Sequence, residues 1–466
     1  MRAETITIKK GLDIPVTGAA EKRITNALGI KLYAVKPTDF VGLTPRLLVE
    51  EGDAVTSGDA LFCDKNDECI RFTSPVNGHV KAIVRGDKRR LLEVVVEAAD
   101  SSPLVLDVPH TADEIKTAML RSGLWTLLRQ RPFGIVANPD DHPKAIFVSA
   151  FDTAPLAPDY DFVLQGKEEF FKKGLEALSK LTDGKVHICF KPEQRLAKQL
   201  STLNSQLSTY HVKGPHPAGN IGTQIAHIDP INKGEVVWTM NAQDVAVLGE
   251  LMSTGVYRPE KVIAVAGPQI KNPHYYRIKA GASMAGIVEE QVFNTNYPKM
   301  KSDEAAKDNR VISGNILSGT QITNDGFISA YDDLVSILPE GDYYDFMGWL
   351  MPGFKKYSFS RTFLSGFLST LNTQLSTYKF DTNTHGDERP LVFTGNYERV
   401  FPFDIYPTQL IKACIIGDIE LMEQLGIYEV EPEDFALCEF IDVSKTEIQR
   451  IIREALETLR KEVADV

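Results

Sequence analysis

The sequence contains little cysteine. Five cysteines occur among 466 residues, at Cys63, Cys69, Cys189, Cys414 and Cys438, and no two of them form a C-x-x-C pair. Disulfide-stapled domains and closed zinc sites need more cysteines, paired or regularly spaced, so both are disfavoured. We therefore expect reduced and mostly buried thiols, as in proteins of the cytoplasm.

Long apolar runs and blocks of basic residues are also missing. No window of about 18 apolar residues occurs, so the sequence predicts no membrane-spanning helix. The first 18 residues carry charges but lack the apolar core of a secretory signal, which is about 7–15 residues long. The net charge of −12 argues against binding to nucleic acid or to an anionic membrane surface.

What the sequence does contain is a regular succession of short apolar segments. Between residues 44 and 83, turns such as Glu51-Gly52-Asp53 and Val76-Asn77-Gly78 separate these segments, which predicts a small β-sandwich or barrel. From about residue 109, buried strands alternate with helices, which is typical of a parallel, doubly wound sheet. The strands are predicted at 145–150, 186–190, 236–240 and 262–266, and the helices at 111–129, 168–181 and 244–253.

The remaining sequence predicts a second β region and a helical end. Residues 260–339 return to short β segments, and apolar spacings of three and four predict helices at 407–425 and 446–462. Ser444 and Glu447 have the S-x-x-E spacing of a capping box at the start of the last helix. We therefore divide the chain into four domains, at residues 1–105, 106–259, 260–340 and 341–466.

One eleven-residue segment occurs twice. The copies LSTLNSQLSTY at 200–210 and LSTLNTQLSTY at 368–378 share ten of eleven residues. They lie in different predicted domains and have no repeating neighbours, which excludes a solenoid. We interpret them as surface-loop insertions without a catalytic role, so that deleting either copy should leave assembly and activity intact.

Two loops could carry chemistry. Lys65 lies in a predicted hairpin turn, the position at which carriers of the lipoyl/biotinyl fold bear a modified lysine. Because no methionines flank Lys65, the sequence favours an unmodified structural domain. The loop GPHPAGNIG at 214–222 could turn backbone N–H groups toward a phosphate or carboxylate. Its two prolines lack that donor, so a rigid structural turn is the alternative. The candidate ligand residues in this loop are Gly214, His216, Gly219 and Gly222.

Several segments together resemble one family, the A subunits of the Na+-translocating NADH:quinone reductase, a bacterial respiratory sodium pump. These segments are IKKGLDIP at 8–15, SGLW at 122–125, RQRPF at 129–133, GPHPAGNIG at 214–222, VISG at 311–314, GNYERV at 395–400 and ALC at 436–438. The resemblance covers almost the whole chain, and the two LSTLN segments fall outside it.

The resemblance implies an α/β multidomain fold. Its parts are a barrel-sandwich hybrid similar to lipoyl and biotinyl domains, a Rossmann-like parallel α/β domain, a β-grasp (SLBB) domain and a C-terminal helical domain with a degenerate ferredoxin-like region. The architecture is similar to the flavin- and NADH-binding subunit of respiratory complex I and to one component of the Rnf complex.

The same comparison implies that this chain has lost two cofactors. The catalytic relatives carry a glycine-rich flavin loop where this chain has the bulky side chains of SGLWTLLRQRPFG. They also carry a cysteine cluster in a region where this chain keeps only Cys438, although a four-iron cluster needs about four thiolates. We therefore expect no flavin, no iron–sulfur cluster and no metal on this chain.

The resemblance further implies an accessory subunit on the cytoplasmic side of the inner membrane, docked on other subunits that include membrane-embedded ones. NADH, flavins, iron–sulfur and quinone would belong to the complex, which couples NADH oxidation and quinone reduction to sodium export. A quinone such as ubiquinone is expected at Trp125, Leu128, Arg131 and Phe133, because these side chains suit an apolar head group better than a nucleotide. Two alternatives stand: these residues merely fill the lost flavin site, or the chain is an independent flavin-dependent NADH dehydrogenase.

Overall fold

The first hundred residues of the computed structural model form a series of short strands. The structure describes residues 4–27, 29–100, 102–200, 205–293, 309–343, 347–348, 350–354, 356–360, 363–365 and 377–464. The strands of this first region are β1 (Glu4–Thr7), β2 (Glu21–Asn26), β3 (Leu32–Val35), β4 (Pro45–Leu47), β5 (Ala54–Val55), β6 (Ala60–Asp64), β7 (Arg71–Thr73), β8 (Asn77–Arg85), β9 (Leu91–Asp100) and β10 (Leu104–Val105).

Two sheets make the predicted sandwich. Strands β3, β9, β8 and β5 form one sheet, and β4, β6 and β7 form the other. Between them Phe62 and Phe72 are buried and stack with their ring centroids 4.7 Å apart. Lys65 lies exposed in the turn between β6 and β7. We call this region the sandwich domain.

The first two strands leave the sandwich domain and join other sheets. β1 pairs in parallel with a strand at Tyr210, and β2 pairs in parallel with a strand that begins at His274. Between them, Ile14 and Val16 are buried in the core of the C-terminal helices. Residues 4–26, which the sequence division placed in a domain of 1–105, therefore tie the three other regions together. We call this segment the N-terminal strap.

The central region alternates helices with strands. Its elements are α1 (Ala112–Ser122), β11 (Arg129–Arg131), β12 (Ile135–Val136), β13 (Ala145–Ser149), α2 (Tyr160–Val163), α3 (Glu168–Leu178), β14 (Lys185–Phe190), α4 (Arg195–Gln199), β15 (Leu207–Lys213), α5 (Ile221–Ile228), β16 (Val237–Thr239), α6 (Ala242–Thr254) and β17 (Val256–Tyr257). One seven-stranded sheet runs in the order β1-β15-β14-β13-β16-β11-β12. This is the α/β domain.

The strand order creates a switch point at β13. Its two neighbours, β14 and β16, are both parallel to it. After β13 the chain builds β14 and β15 on one side and then returns to β16 on the other. In open α/β sheets, ligands bind outside the carboxyl ends of the strands at such a point.

Helix α1 is shorter than the predicted helix 111–129. Thr111 and Glu114 form a capping box at its start, and Gly123 ends it with φ 79°. Glycine adopts this left-handed conformation without strain, which stops the helix. The chain then makes one 3-10 turn, Leu124–Leu127, and enters the sheet as β11.

The first copy of the repeat is not wholly a loop insertion, and its residues 201–204 lie outside the described residues. Its last four residues, from Leu207, open β15, which lies between β14 and β1 in the sheet. Leu207 is buried in the main core. In the second copy, residues 368–376 lie outside the described residues, and Tyr378 forms a bridge to Val16 of the N-terminal strap. The interpretation of both copies as surface loops is therefore wrong for the first copy.

The third region is the predicted second β region. Its elements are β18 (Glu260–Ala266), β19 (His274–Lys279), α7 (Ala285–Gln291), β20 (Asn309–Ser313), β21 (Thr320–Ile322) and β22 (Leu334–Pro339). They form a six-stranded sheet with the strap, in the order β2-β19-β18-β22-β20-β21. We call this region the β-grasp domain.

The C-terminal domain is helical. Its helices are α8 (Tyr397–Val400), α9 (Pro407–Ile416), α10 (Ile419–Gln424), α11 (Ala436–Ile441) and α12 (Ile448–Ala464). Gly417 at φ 77° divides the predicted helix 407–425 into α9 and α10. The predicted capping box is wrong, because the Ser444 hydroxyl donates to the Pro390 carbonyl instead. In the described part of the chain, no helix is both long and apolar enough to cross a membrane.

Candidate functional site

A cavity of about 180 Å³ lies at the carboxyl ends of β13 and β16. Because ligands bind at such switch points, this cavity, which we call the crevice, is the candidate functional site. Its apolar wall includes Leu127, Phe151, Met240 and Tyr331. Its polar side chains include Arg129, Ser149, Asp152, Tyr160, His216, Asn241 and Glu433.

A buried hydrogen-bond network holds two of these polar side chains in place. The Tyr160 hydroxyl donates to Asp333 Oδ2 at 3.0 Å, and Asn241 Nδ2 donates to the same oxygen at 2.8 Å. Lys261 Nζ lies 3.7 Å from Asp333 and 3.3 Å from Asp244, both of them buried. Since Asp333 and Lys261 belong to the β-grasp domain, this network fixes that domain against the wall of the crevice.

Only some residues of the glycine-rich loop 214–222 line the crevice. His216 and Gly219 line it. A Cβ on Gly214 would lie 2.3 Å from the Ile8 carbonyl oxygen, so Gly214 allows the close approach of the N-terminal strap. A Cβ on Gly222 would lie 2.5 Å from the Asp434 carboxylate. These two glycines therefore serve packing between segments.

His216 is buried and uncharged at neutral pH. It is 3% exposed, and its ring Nδ1 lies 3.2 Å from the Thr153 hydroxyl. Burial lowers the pKa of His216 to about 4. Its backbone N–H donates to Asp13 of the strap at 2.9 Å. At pH 7 this ring supplies no positive charge to attract an anion.

Two of the predicted quinone residues lie in the core. Trp125 is 1% exposed, donates its indole N–H to the Ala137 carbonyl at 2.8 Å and packs edge-on against Trp238. Leu128 is also fully buried. Neither lines the crevice, whereas the two residues that flank Leu128, Leu127 and Arg129, both do.

The other two predicted quinone residues join the α/β domain to the C-terminal domain. Arg131 is 3% exposed and lies 2.6 Å from Glu433 and 3.3 Å from Asp434. The carbonyl oxygen of Phe133 accepts a hydrogen bond from Arg453 Nη1 at 2.7 Å. Five charged side chains meet at this junction, and we call them the clasp: Arg131, Arg453, Glu431, Glu433 and Asp434.

The clasp has more carboxylates than guanidinium groups. Arg453 donates to Glu431 at 2.6 Å, which leaves Arg131 for both Glu433 and Asp434. Burial raises the pKa of Asp434 to about 7, although the charge of Arg131 acts in the opposite direction. The clasp therefore exchanges a proton near neutral pH.

A second cavity of about 540 Å³, which we call the cleft, adjoins the crevice. It lies between the sandwich, β-grasp and C-terminal domains, and it shares Arg129, Ser318, Tyr331 and Glu433 with the crevice. The Arg129 guanidinium carbon lies 5.0 Å from the centroid of the Tyr331 ring, and this pair forms part of the wall of both cavities.

The residues of the crevice do not fit a flavin or a dinucleotide. Leu124–Leu127, in the segment where the resemblance implies a lost flavin loop, form a turn in which Trp125 is buried. The carboxylates of Asp152 and Glu433 line the crevice and would repel a phosphate. A cavity of about 180 Å³ is also smaller than the roughly 300–1,000 Å³ of sites for larger ligands.

The sequence pattern alone missed several residues that line the crevice. Ser149 lies near the end of the predicted strand 145–150, Asp152 follows that strand, and Asn241 follows the predicted strand 236–240. The rule that ligands bind at the carboxyl ends of parallel strands could have found them. No sequence signal indicates Tyr331 or Glu433, which come from the β-grasp and C-terminal domains.

Comparison with protein families matches most of the chain. Residues 6–99 match the NqrA N-terminal barrel-sandwich hybrid domain, residues 110–257 match the NqrA second alpha/beta domain, and residues 262–298 match the NQRA C-terminal domain. These three matches confirm the predicted order of a barrel-sandwich, an α/β and a third, SLBB-type domain.

Several curated relatives, all of them A subunits of Na(+)-translocating NADH-quinone reductases, match over the full length. The relative from Yersinia pseudotuberculosis serotype O:1b is 38% identical over 465 residues, which cover 98% of this chain and 100% of the relative. The relatives from Histophilus somni strain 129Pt and Neisseria meningitidis serogroup B are each 38% identical over 466 residues, with the same coverage. This chain belongs to the NqrA family, the A subunits of the Na(+)-translocating NADH-quinone reductase.

Proposed function

We propose that this chain is a subunit of the reductase that couples NADH oxidation and quinone reduction to sodium export. The observation that carries the proposal is the identity of 38% over 98% of the chain, with the domains in the family's order. In the complex the chain binds other subunits, including membrane-embedded ones, and lies on the cytoplasmic side of the membrane.

In this proposal the chain carries neither flavin nor iron–sulfur cluster. The carboxylates of Asp152 and Glu433 and the buried turn at Trp125 support this assignment, because they disfavour nucleotide phosphates. Cys438 supports it too, since it is buried in the apolar core of the C-terminal domain. NADH oxidation and sodium movement then belong to other subunits of the complex.

We further propose that the crevice receives the ring of a quinone. Met240 and Tyr331 offer apolar surface for the ring, and Arg129 offers N–H donors to a quinone carbonyl oxygen. The isoprenoid tail is too large for a cavity of about 180 Å³ and would extend outward. None of the four predicted contact residues, Trp125, Leu128, Arg131 and Phe133, lines the crevice, and this proposal replaces them by Leu127, Arg129, Met240 and Tyr331.

A titration of the purified chain tests both parts of the proposal. The visible spectrum should show no flavin band and no change with NADH. Short-tailed ubiquinone should then quench tryptophan fluorescence, because Trp238 directly precedes Thr239 and Met240 of the crevice. A flavin band that NADH bleaches would instead identify the chain as a dehydrogenase.

The variant Arg129→Met tests whether the quinone binds in the crevice. Loss of a hydrogen bond to a charged donor costs roughly 1.5–3 kcal/mol, so quinone affinity should fall about tenfold or more. Arg90→Met, an exposed position in the sandwich domain, is the matched control and should bind quinone as the native chain does. Equal affinity in both variants would show that the crevice is not the site.

A further inference from the structure

The hairpin of β8 and β9 ends in a group of exposed basic residues. The two strands pair with each other up to Arg85 and Leu91. Among the described residues, β5 pairs only near the start of β8, and β3 pairs with β9 only from Val94 onward. Residues 84–90, which we call the basic tip, therefore extend beyond both neighbouring strands. Six of these seven residues are exposed, whereas Leu91 at the base is buried in the core.

The basic side chains of the tip lack acidic partners. They are Arg85, Lys88, Arg89 and Arg90. None of them forms an ion pair with a described residue, whereas Lys81 of β8 lies 2.9 Å from Glu97 of β9. Asp87 is the one acidic residue of the tip, so four basic residues and one acidic residue give it a net charge of +3. Glu51 and Glu93 lie at its base, where Glu51 accepts a hydrogen bond from the Ile83 backbone and Glu93 lines the cleft.

The backbone holds two of these basic residues in a conformation that favours glycine. Lys88 has φ 53° and Arg89 has φ 61°. Residues with a Cβ pay free energy for this left-handed conformation, and such strain is concentrated at functional positions. The Arg85 guanidinium donates to the Arg89 carbonyl at 3.2 Å across the turn. The tip therefore carries positive charge at two positions where glycine would be more stable.

The size and composition of the tip indicate the kind of anionic partner. A specific protein interface uses about 20–30 residues on each side, several times the length of the tip. Single-stranded nucleic acids stack their bases on aromatic side chains, and residues 84–90 include none. An anionic bilayer requires neither feature, because each Lys or Arg near its surface strengthens binding about fivefold. Val84, which is 38% exposed, adds an apolar contact beside these charges.

We infer that the basic tip binds the anionic phospholipid headgroups of the membrane beside which the reductase subunit lies. This inference rests on the proposed function, which places the chain at a membrane. The chain as a whole has a net charge of −12, but charges farther than about 10 Å from the lipid surface are largely screened by salt. The tip then turns the sandwich domain toward the bilayer.

Cosedimentation of the full-length chain with phospholipid vesicles tests this inference. Phosphatidylcholine vesicles with about 30% phosphatidylglycerol should bind the chain at least tenfold more tightly than pure phosphatidylcholine vesicles. The double variant Arg89→Gln/Arg90→Gln loses two of four basic charges, so its binding should be about 25-fold weaker. Lys185→Gln/Lys198→Gln, the same charge change at exposed positions of the α/β domain, should change binding less than twofold. Both double variants should unfold at the native urea concentration, because the replaced side chains are exposed.

Three results with vesicles and nucleic acid would overturn the inference. These are equal binding to the two kinds of vesicle, an equal loss of binding in the two double variants, or tighter binding to a single-stranded oligonucleotide than to the anionic vesicles.

Assembly of the reductase in detergent separates this inference from the proposed function. Because detergent offers no bilayer, the Arg89→Gln/Arg90→Gln chain should assemble with the other subunits as the native chain does. A variant that fails to assemble there would show that the tip binds an acidic protein surface, and the inference would be wrong. A native chain that fails to assemble would contradict the proposed function instead.

Discussion

The clasp makes the stability of this chain depend on pH through one carboxyl group. The Asp434 side chain is 0% exposed, and burial raises its pKa to about 7. In the unfolded chain an aspartate has a pKa of about 4. Between these values the folded state holds a proton that the unfolded state has released. The free energy of unfolding therefore falls as the pH rises from about 4 to about 7.

The variant Asp434→Asn removes this titration and keeps the shape of the side chain. One pKa unit corresponds to about 1.4 kcal/mol. Between pH 5 and pH 7 the native chain therefore loses roughly 3 kcal/mol of stability through Asp434. The variant does not titrate at this position. We expect its free energy of unfolding to rise by about 3 kcal/mol relative to the native chain between pH 5 and pH 8.

Urea unfolding at pH 5, 6, 7 and 8 measures this difference. Fluorescence of Trp125 and Trp238 reports on the α/β domain, against which Asp434 packs through Arg131. Titrating groups outside the clasp are common to both proteins, so their effects cancel in the comparison. Asp387→Asn, the same substitution at an exposed position, is the matched control. A constant difference for Asp434→Asn would refute the reasoning.

Three further substitutions test two packing contacts and the pH dependence that comes from the buried His216. Gly222→Ala places a Cβ 2.5 Å from the Asp434 carboxylate and should lower the free energy of unfolding by about 1–3 kcal/mol, measured in urea. Leu207→Ala should cost about 2–5 kcal/mol in the same assay, because the first repeat copy forms part of the sheet. Between pH 7 and pH 4, His216 should lower the free energy of unfolding of the native chain by roughly 3 kcal/mol. The variant His216→Gln should lack this decrease. The pKa of His216 is lowered to about 4, so the folded state resists the proton that the unfolded state takes up below about pH 6.5.

Each of these predictions has a contrary result. If Leu207→Ala left the free energy of unfolding unchanged, the interpretation of the first repeat copy as a loop insertion would be restored. A neutral Gly222→Ala would mean that α5 and Asp434 separate easily. A native chain and a His216→Gln variant that lose stability in parallel below pH 6 would show that His216 accepts protons as readily when folded as when unfolded.

The sequence predicted local elements well where their signal is local. The alternation of apolar segments with helices indicated β13, β14, β16 and α6. It did not reveal β15, because the polar run that contains Ser208 and Thr209 looks like a loop. It overextended α1, because the apolar spacing continues past Gly123 although the backbone there turns left-handed.

Contacts between segments far apart in the sequence explain the other differences between the predicted and the observed structure. The N-terminal strap pairs with Tyr210 and with His274, which no local pattern can show. The candidate site also depends on distant segments, since Arg129, Tyr331 and Glu433 come from three regions of the chain. Of the eight site residues predicted from sequence, the crevice contains His216 and Gly219. The hydrophobic character of Trp125 and Leu128 indicated a ligand surface, but the same character favours burial in a core.

The activity of the whole reductase tests the central claim most directly. The complex should be assembled with and without this chain, and NADH-driven quinone reduction and sodium transport should be measured in both. Our account predicts that both activities are lost without the chain and return when the purified chain is added. A complex that lacks the chain and still reduces quinone and transports sodium at the full rate would contradict the account.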